Sequence, residues 1–355
     1  MSHPSGPSSS PSTAASLPDD VRAFAEDLDV GATFAYAIPM TTRFRGITVR
    51  EGMLLEGPAG WGEFCPFADY DAETSAWWLL TALESAVLGW PAPLRDRVPV
   101  NATVPAVDPQ RAHAIVKASG CSTAKVKVAD HPDSLAEDLA RLEAVRDALG
   151  PTGAVRVDAN GVWDIDTAVA HIAAMDGAAG GLEYVEQPCR TIDELAAVRR
   201  RVTVRIAADE SIRSAEDPLR VAVAGAADVA VIKCTPLGGV RRALAVAGAA
   251  GLPCVVSSAL ETSVGLAAQL ALAGALPDLD FACGLGTLSL LRGDIVAPQS
   301  SLVPDRGHLP VPLAPPTPDP ELLRRHALTD PRRRAWWTDR LRRTLAILIS
   351  RRDGG

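Results

Sequence analysis

The stretch AKVKVADHPDSLAEDLARLEAVRDALGPTGAVRVDAN, residues 124–160, holds two short apolar strand patterns on either side of one long helical pattern. AKVKV opens the stretch and AVRVDAN closes it, and both are rich in Val, a residue typical of strands. The sequence between them is rich in Ala, Leu and Glu, which favour helices. Because two parallel strands need a long crossover connection, usually a helix, the stretch predicts one β–α–β unit.

The same alternation of strand and helix continues in both directions, with about 25–30 residues in each repeat, the size of a βα unit. Eight such units close into a barrel. An open doubly wound sheet is the competing topology, but no glycine-rich dinucleotide fingerprint follows the first strand. We therefore predict an α/β fold with a modified TIM-like (β/α)8 barrel. Its strands are predicted at residues 100–104, 124–128, 154–160, 182–188, 204–210, 229–233, 253–258 and 281–286.

A smaller unit precedes the barrel in the sequence. Three strand patterns with Gly and Pro turns, at 36–40, 46–56 and 60–64, come before an amphipathic helical pattern at 71–90. Strands followed by a helix favour a compact N-terminal α+β capping domain. The predicted domains are a disordered Ser/Pro leader and lead-in at 1–32, the capping domain at 33–96, the barrel at 97–290, a return segment to the cap at 291–320, and a basic C-terminal tail at 321–355.

Charge is distributed unevenly along the 355 residues, whose formal net charge is −8. The tail from Glu321 holds ten Arg and four acidic residues, so it carries +6 and the body carries −14. An acidic body argues against a nucleic-acid partner but allows a small anionic substrate. The tail predicts a basic amphipathic helix, for which two interpretations remain. It attaches to an anionic membrane surface, or, as we favour, it docks on the protein or frays in solvent.

The chain shows no signal for export or membrane insertion. The first twenty residues have neither a cationic n-region nor an apolar h-region, so we expect no signal peptide. No run of about 18 apolar residues escapes interruption, so we expect no transmembrane span. Six cysteines lie far apart without a C-x-x-C pair, which indicates buried reduced thiols. We expect a cytoplasmic protein, and the sequence leaves its oligomeric state open, with a monomer as one option.

Polar residues follow the apolar part of most barrel strands, at the carboxyl ends where active sites of such barrels lie. Residues two apart on a strand face the same way. A single Lys or Asp at a strand end is more often an ion pair at the rim than a catalyst, but a set on consecutive strands favours one site. The set is Lys125 and Lys127 on the second strand, Arg156, Asp158 and Asn160 on the third, Glu186 on the fourth, Asp209 and Glu210 on the fifth, Lys233 on the sixth, and Ser257 and Ser258 on the seventh.

Three of these carboxylates, those of Asp158, Glu186 and Asp209, are expected to converge. Buried carboxylates repel one another, and a hard divalent cation with oxygen ligands relieves this, so we predict Mg²⁺, with Mn²⁺ as a substitute. A metal and ammonium groups stabilise the charge that develops when a proton next to a carboxylate is removed. An ammonium beside other cations gives up its proton more readily, so Lys127 fits the role of base. Asn160 and Glu210 support this site or cap helices.

The motifs K-V-K, D-A-N, E-Q-P and D-E-S, followed by a lone Lys on the sixth strand, resemble the enolase superfamily. They match its muconate-lactonising subgroup, which has lysines on the second and sixth strands. The resemblance covers roughly residues 33–315 and implies a capping domain and a barrel. Within the subgroup, the segments at 44–67, 257–265 and 284–287 resemble the o-succinylbenzoate synthases.

This resemblance implies a reaction, the syn dehydration of 2-succinyl-6-hydroxy-2,4-cyclohexadiene-1-carboxylate to 2-succinylbenzoate in menaquinone synthesis. It also implies a loop around Arg43–Gly46 that closes over the small carboxylate substrate. The roles that it implies are Lys127 as base and then acid, Lys233 as a stabiliser of the enediolate, Lys125 as support for the charge balance, Asp158, Glu186 and Asp209 as Mg²⁺ ligands, and Arg156, Ser257, Gly284 and Arg45 as substrate contacts.

Two other functions compete with this one. The first is N-succinylamino acid racemase or dipeptide epimerase, in which Lys127 and Lys233 would work as a two-base pair on opposite faces of one carbon. The second is a non-catalytic metal- or anion-binding barrel, which has no need of paired acid–base lysines.

Overall fold

Seven parallel strands form one curled sheet in the computed structural model, which describes residues 17–212, 220–221 and 225–351. The strands are β1 Phe34–Phe44, β2 Ile47–Gly57, β3 Gly60–Phe64, β4 Arg97–Pro99, β5 Ala102–Val104, β6 Thr123–Lys127, β7 Ala154–Asp158, β8 Tyr184–Glu186, β9 Ile206–Ala208, β10 Val229–Ile232, β11 Cys254–Val256 and β12 His308–Pro310. The α-helices are α1 Asp19–Asp27, α2 Ala72–Val87, α3 Pro109–Ser119, α4 Leu135–Leu149, α5 Ile165–Ala179, α6 Ile192–Arg199, α7 Cys234–Leu237, α8 Val240–Ala250, α9 Ser263–Ala275, α10 Pro320–Arg325 and α11 Pro331–Ser350.

The parallel sheet runs in the order β5–β6–β7–β8–β9–β10–β11, and an eighth segment closes it. Cys283 bridges to Val100 beside β5, and Gly284 bridges to Ser257 after β11, both in parallel orientation. The strand predicted at 281–286 therefore lies where it was expected, although it pairs through isolated bridges before a 3₁₀ turn begins. The prediction of a modified (β/α)8 barrel is confirmed.

Successive side chains of each barrel strand point alternately outward, toward the helices, and inward, toward the barrel interior. On β7, Val155 joins the apolar core shared with the surrounding helices, whereas Arg156 and Asp158 lie on the opposite face, toward the barrel interior. The register aligns Lys127, Asp158 and Glu186 side by side on β6, β7 and β8. Three potential site residues from three neighbouring strands thus lie at the same position along the barrel axis.

Short polar residues fix where the barrel helices begin and end. The side chains of Asp108 and Asp164 accept hydrogen bonds from backbone amides in the first turns of α3 and α5. Gly120 and Gly180 end the same helices in the left-handed conformation, with φ of 63° and 61°. These sharp ends allow each helix to return directly to the next strand.

The capping domain is the antiparallel sheet β1–β2–β3 packed against α2. Its apolar core contains Phe64 and Leu79, and it is completed by both ends of the described chain. Val21 of α1 and Leu341 of α11 are buried in this core. The cap is therefore assembled from segments that are far apart in sequence.

Residues 291–320 lead from the barrel back to the cap and contact both. Leu291 bridges to Met40 on β1, and Ile295 is buried in the cap core. Further on, β12 pairs antiparallel with β4, and Leu309 is buried in the barrel core. This segment joins the two units side by side.

Part of the segment at 1–32, expected to be a disordered leader and lead-in, is helical. Helix α1 begins at Asp19, and Leu17, Val21 and Ala25 are buried. Their spacing of four residues gives one apolar face, which packs on the cap. Residues 1–16 of the expected leader lie outside the described residues.

The basic tail folds as the docked helix α11. Its apolar face, with Trp337, Leu341, Leu345 and Leu348, is buried in the cap core. That face is used in packing, so it is not free to enter a membrane surface. Across the described ranges, no helix is both long and apolar enough to cross a membrane. All six cysteines are buried and unpaired, as expected.

Candidate active site

Lysine ammonium groups and carboxylates meet where the central barrel strands end. The Lys125 Nζ lies 2.9 Å from each carboxylate oxygen of Glu186 and 3.5 Å from Asp158 Oδ2. The Lys127 Nζ lies 2.5 Å from the same Asp158 oxygen. Two lysines of one strand thus bind two carboxylates of the next two strands, because the K-x-K spacing places both on the inner face.

The fifth and sixth strands supply a matching pair on the other side. Lys233, which follows β10, donates to Asp209 Oδ2, which follows β9. Both side chains are buried. The lysines expected on the second and sixth strands therefore flank the carboxylates, as the sequence predicted.

Lys127 is the most accessible of the three lysines. Its side chain is 20% exposed, compared with 9% for Lys125 and 10% for Lys233. Its Nζ also donates to Asn160 Oδ1 at 2.6 Å, and Asn160 Nδ2 donates to Glu210 Oε1 at 3.3 Å. Asn160 therefore orients the ammonium group of Lys127 at the point where it meets solvent.

Burial and mutual repulsion act on these carboxylates to different extents. Burial and the negative charge of Asp158 together raise the pKa of Glu186 to about 8. Burial also acts on Asp158, but Lys127 and Lys125 outweigh it and hold the pKa of that carboxyl well below its usual value. Burial alone would lower the pKa of Lys125, yet Glu186 and Asp158 outweigh it and raise that pKa. Lys125 therefore stays charged beneath the site.

The donor set of Asp158, Glu186 and Asp209 fits a hard divalent cation. The side-chain ligand atoms of all three residues are carboxylate oxygens, the ligands that Mg²⁺ prefers. The pKa of Glu186 is raised by burial and by repulsion from Asp158. A bound cation would offset both effects, because it stabilises the charged form of the carboxylate. Among the residues that the structure describes, no three acidic, His or Cys groups stand in metal-binding positions, and Lys125, Lys127 and Lys233 each bind an oxygen of one of these carboxylates.

Two neighbouring cavities lie beside these groups. The inner cavity, of about 50 Å³, is lined by Lys125, Lys127, Asp158, Asp209 and Lys233 among others. The outer cavity, of about 270 Å³, lies under the β1–β2 turn. The two share four lining residues, namely Phe44, Arg45, Lys127 and Asn160. Lys127 therefore stands at the junction of the two cavities.

The turn Arg43–Gly46 of the cap covers this junction. Arg45, with a φ of 50°, stacks its guanidinium 4.4 Å from the Phe67 ring centre and donates to Tyr70 Oη at 2.9 Å. Phe44 presents its ring 5.5 Å from the Lys127 Nζ. The tip of one hairpin thus forms the roof of the site.

Three of the four predicted substrate contacts line the inner cavity. Arg45 forms part of its roof, and Ser257 and Gly284 form part of its wall. A Cβ on Gly284 would lie 2.6 Å from Ser257 Oγ, so a larger residue at this position would displace the Ser257 hydroxyl. The barrel seam, where Ser257 bridges to Gly284, is thus also a surface of the cavity.

Arg156 does not line either cavity, and its prediction as a substrate contact is corrected. Its guanidinium is paired with Glu183, donates to the carbonyl of Ala282 at 2.6 Å and stacks 4.7 Å from the Tyr184 ring centre. It lies two residues before Asp158 on β7, toward the amino-terminal end of the barrel. The alternation of side chains along the strand predicts that Arg156 points inward. Because it lies deeper than the cavities, it forms a structural ion pair with Glu183 instead.

One buried hydroxyl in the site has no signal in the sequence patterns used above. Thr103 of β5 is 5% exposed, and its Oγ1 has no hydrogen-bond partner among the described residues. It lines the inner cavity and is aligned with Lys125 on the neighbouring strand. The same alternation rule, applied to the first barrel strand, would have indicated it.

Both units of the chain match enolase domains. Residues 35–86 match the family described as enolase N-terminal domain-like, and residues 109–315 match the one described as enolase C-terminal domain-like. The fold is also similar to a muconate lactonizing enzyme from Pseudomonas fluorescens, with a TM-score of 0.72, 23% identity, and coverage of 83% of this chain and 97% of that one. Fold and site together define a member of the enolase superfamily.

Two relatives narrow this class. The chain is 65% identical to an o-succinylbenzoate synthase of Thermobifida fusca over 277 residues, 78% of this chain and 86% of the relative. It is 55% identical to an o-succinylbenzoate synthase of Mycolicibacterium smegmatis over 306 residues, 86% of this chain and 92% of the relative. The chain belongs to the o-succinylbenzoate synthase family.

Proposed function

We propose that this chain dehydrates 2-succinyl-6-hydroxy-2,4-cyclohexadiene-1-carboxylate to 2-succinylbenzoate, a step of menaquinone biosynthesis, and is thus a hydro-lyase. The observation that carries the proposal concerns the inner cavity. Two lysines and two carboxylates line it together, namely Lys127, Lys233, Asp158 and Asp209. A substrate carboxylate in this cavity would meet cationic groups from two sides. The proton next to that carboxylate is then the one that becomes acidic.

Lys127 is the proton carrier in this proposal. As a neutral amine, it takes the proton from the carbon next to the carboxylate, and an enediolate forms. As an ammonium, it then gives that proton to the departing hydroxide, which leaves as water while the ring becomes aromatic. One lysine on one face performs both steps, which suits a syn elimination. Its position at the junction of the cavities and its contact with Asn160 support this role.

The other two lysines hold charge. Lys233 lines the cavity and stabilises the enediolate as it forms. Lys125 is almost buried between Glu186 and Asp158, so it balances the charge of the carboxylates below the substrate.

The carboxylates of Asp158, Glu186 and Asp209 would hold Mg²⁺, with Mn²⁺ as a substitute. When bound, the cation supplies positive charge to the substrate carboxylate. Ser257, Gly284 and Arg45 would contact the remainder of the substrate, since they line the cavity wall and roof. The turn Arg43–Gly46 would open for entry and close to exclude water. Cytoplasmic location remains a prediction, and the oligomeric state stays open, with a monomer as one option.

N-succinylamino acid racemase or dipeptide epimerase activity would use the same lysines as a two-base pair. The synthase relatives favour dehydration. The decisive experiment supplies the purified protein and Mg²⁺ with the cyclohexadiene substrate and, separately, with N-succinyl amino acids. We expect 2-succinylbenzoate to form with much the larger kcat/KM. Faster racemisation than dehydration would reject the proposal.

A further inference from the structure

Gln187, which follows Glu186 directly, has an unusual backbone. Its φ is 41°, in the left-handed region that non-glycine residues seldom adopt, and its side chain is fully buried. Such a conformation costs free energy and persists where the surroundings hold it in place. The contacts of Gln187 show what holds it.

The side-chain amide of Gln187 reaches the loop after β9. Its Oε1 accepts hydrogen bonds from the backbone N–H of Asp209 at 2.9 Å and of Ser211 at 3.3 Å. Its Nε2 donates to Ser211 Oγ at 2.9 Å and to the carbonyl of Cys189 at 2.9 Å. An uncharged group that both donates twice and accepts twice is required here, and an amide is such a group.

The backbone of Gln187 links two more strand ends. Its N–H donates to the carbonyl of Ala207 on β9 at 2.8 Å, and its carbonyl accepts from the N–H of Gly161 at 2.6 Å. Gly161 follows Asp158 by three residues, after β7. One residue therefore connects the ends of β7, β8 and β9, and each of these ends carries one carboxylate.

We propose that Gln187 is a positioning residue that holds the carboxylates of Asp158, Glu186 and Asp209 at the mutual distances that Mg²⁺ requires. The inference rests on the proposed function, because it takes these three groups as the metal ligands. Mg²⁺ demands near-ideal octahedral geometry, so small displacements of a ligand weaken binding. Groups that orient metal ligands typically contribute about 10- to 100-fold to metal affinity.

The test measures Mg²⁺ affinity by isothermal titration of the metal-free full chain. Gln187→Met keeps the length of the side chain and removes all four amide hydrogen bonds. We expect its dissociation constant for Mg²⁺ to rise about 10-fold or more. The matched control is Gln269→Met, which removes another fully buried amide that accepts from Cys234 N at 2.9 Å but makes no hydrogen bond with Asp158, Glu186 or Asp209, backbone included. It should lower the melting temperature and leave Mg²⁺ affinity unchanged.

An unchanged Mg²⁺ affinity in folded Gln187→Met overturns the inference, as does an equal loss in Gln269→Met. If Gln187→Met does not fold, Ser211→Ala decides the matter, because it removes one partner of the amide. Its Mg²⁺ affinity should fall several-fold, and an unchanged value rejects the proposal. A wild-type chain that forms 2-succinylbenzoate while Gln187→Met binds Mg²⁺ normally would reject this inference alone. A wild type that binds Mg²⁺ without dehydrating the substrate would reject the proposed function alone.

Discussion

At the scale of single residues, the site depends on how deep each of two cavity-lining lysines lies along its strand. Lys125 and Lys127 are two positions apart and face the same way, yet Lys125 is held by Glu186 and Lys127 stands at the junction of the two cavities. Depth along the strand therefore gives two chemically identical side chains separate tasks. In the proposed mechanism, the deeper lysine balances charge and the upper one transfers the proton.

Replacement of the upper lysine tests this division. Lys127→Ala should lower kcat for dehydration by about 1,000-fold, within the range of a lost general acid–base group. Formation of 2-succinylbenzoate by the purified variant measures it. Lys117→Ala, which removes an exposed lysine on α3, is the control and should retain wild-type kcat. A Lys127→Ala enzyme with near-normal turnover would show that another group carries the proton.

Arg156 allows a second test at this scale. Arg156→Met should leave Glu183 without its buried partner and lower the free energy of unfolding by about 3 kcal/mol. The folded enzyme should keep the KM of the wild type, because the guanidinium lines neither cavity. Chemical denaturation and steady-state kinetics measure the two quantities. A raised KM with unchanged stability would restore Arg156 as a substrate contact.

The alternation of side chains along a strand predicted which of them point into the barrel. It carries no information on how far along the barrel axis each side chain lies. Asp158 and Arg156 lie on the same face of β7, two residues apart. Asp158 lines the cavity, whereas Arg156 lies deeper in the barrel and forms an ion pair with Glu183. Gln187 was part of a recognised motif, yet its four amide contacts depend on how β8 and β9 are aligned. Such contacts between strands cannot be obtained from spacing along one strand.

At the scale of elements, one carboxylate of the cap stabilises a helix of the barrel. Glu63 on β3 accepts hydrogen bonds from the backbone N–H of Thr262 at 3.1 Å and of Gly265 at 2.8 Å, and from Tyr36 Oη at 2.5 Å. These amides belong to the start of α9, where the helix dipole favours negative charge. The cap is thereby fixed on the loop that follows Ser257.

Glu63→Gln should weaken this junction, because an amide presents N–H groups to donors and lacks the charge. We expect the free energy of unfolding to fall by about 2 kcal/mol, the size of a hydrogen bond to a charged group. Chemical denaturation gives the value. Glu56→Gln, on the exposed side of β2, is the matched control and should change stability little. Equal stability of the two variants would mean that Glu63 contributes no net attraction.

The elements with strong local patterns could be predicted well. The seven sheet strands and the closing segment match the eight predicted ranges, with β6 beginning one residue early, because short apolar runs between helices have few alternatives. Helix α1 was not predicted, since a Ser/Pro-rich segment dominates the sequence before Asp19. Its helical state depends on burial of Val21 and Ala25 against distant segments, which no local pattern reveals.

At the scale of the whole molecule, the tail belongs to the cap. Trp337 of α11 packs edge-on against Phe64 of β3, with ring centres 6.1 Å apart, and its indole N–H donates to Glu51 on β2 at 2.9 Å. The sequence presented this segment as an appendage because its charge differs from that of the body. Its apolar residues, at helical spacing, decide where it lies.

Removal of residues 330–355 should therefore unfold the cap. Burial of each large apolar side chain contributes about 2 kcal/mol, and several are lost together. We expect limited proteolysis to cut residues 33–90 rapidly while the barrel resists longer, and dehydration to cease. A chain that lacks residues 352–355 alone is the control and should resist proteolysis like the wild type. A truncated chain with a protected, active cap would show that α11 is dispensable.

The completion of the cap by both ends of the described chain has a consequence during synthesis on the ribosome. Arg22 of α1 donates to the carbonyl of Ile349 in α11 at 3.2 Å. Helix α1 therefore cannot complete its contacts until α11 has been synthesised. Nascent domains generally fold as units in the order in which they emerge. Here the order is inverted, since the barrel between residues 97 and 290 emerges in full while the cap still lacks its final helix. We therefore expect the enclosed reaction chamber to form only after α11 has emerged, so a nascent chain that stalls before α11 would hold the barrel without a complete cap.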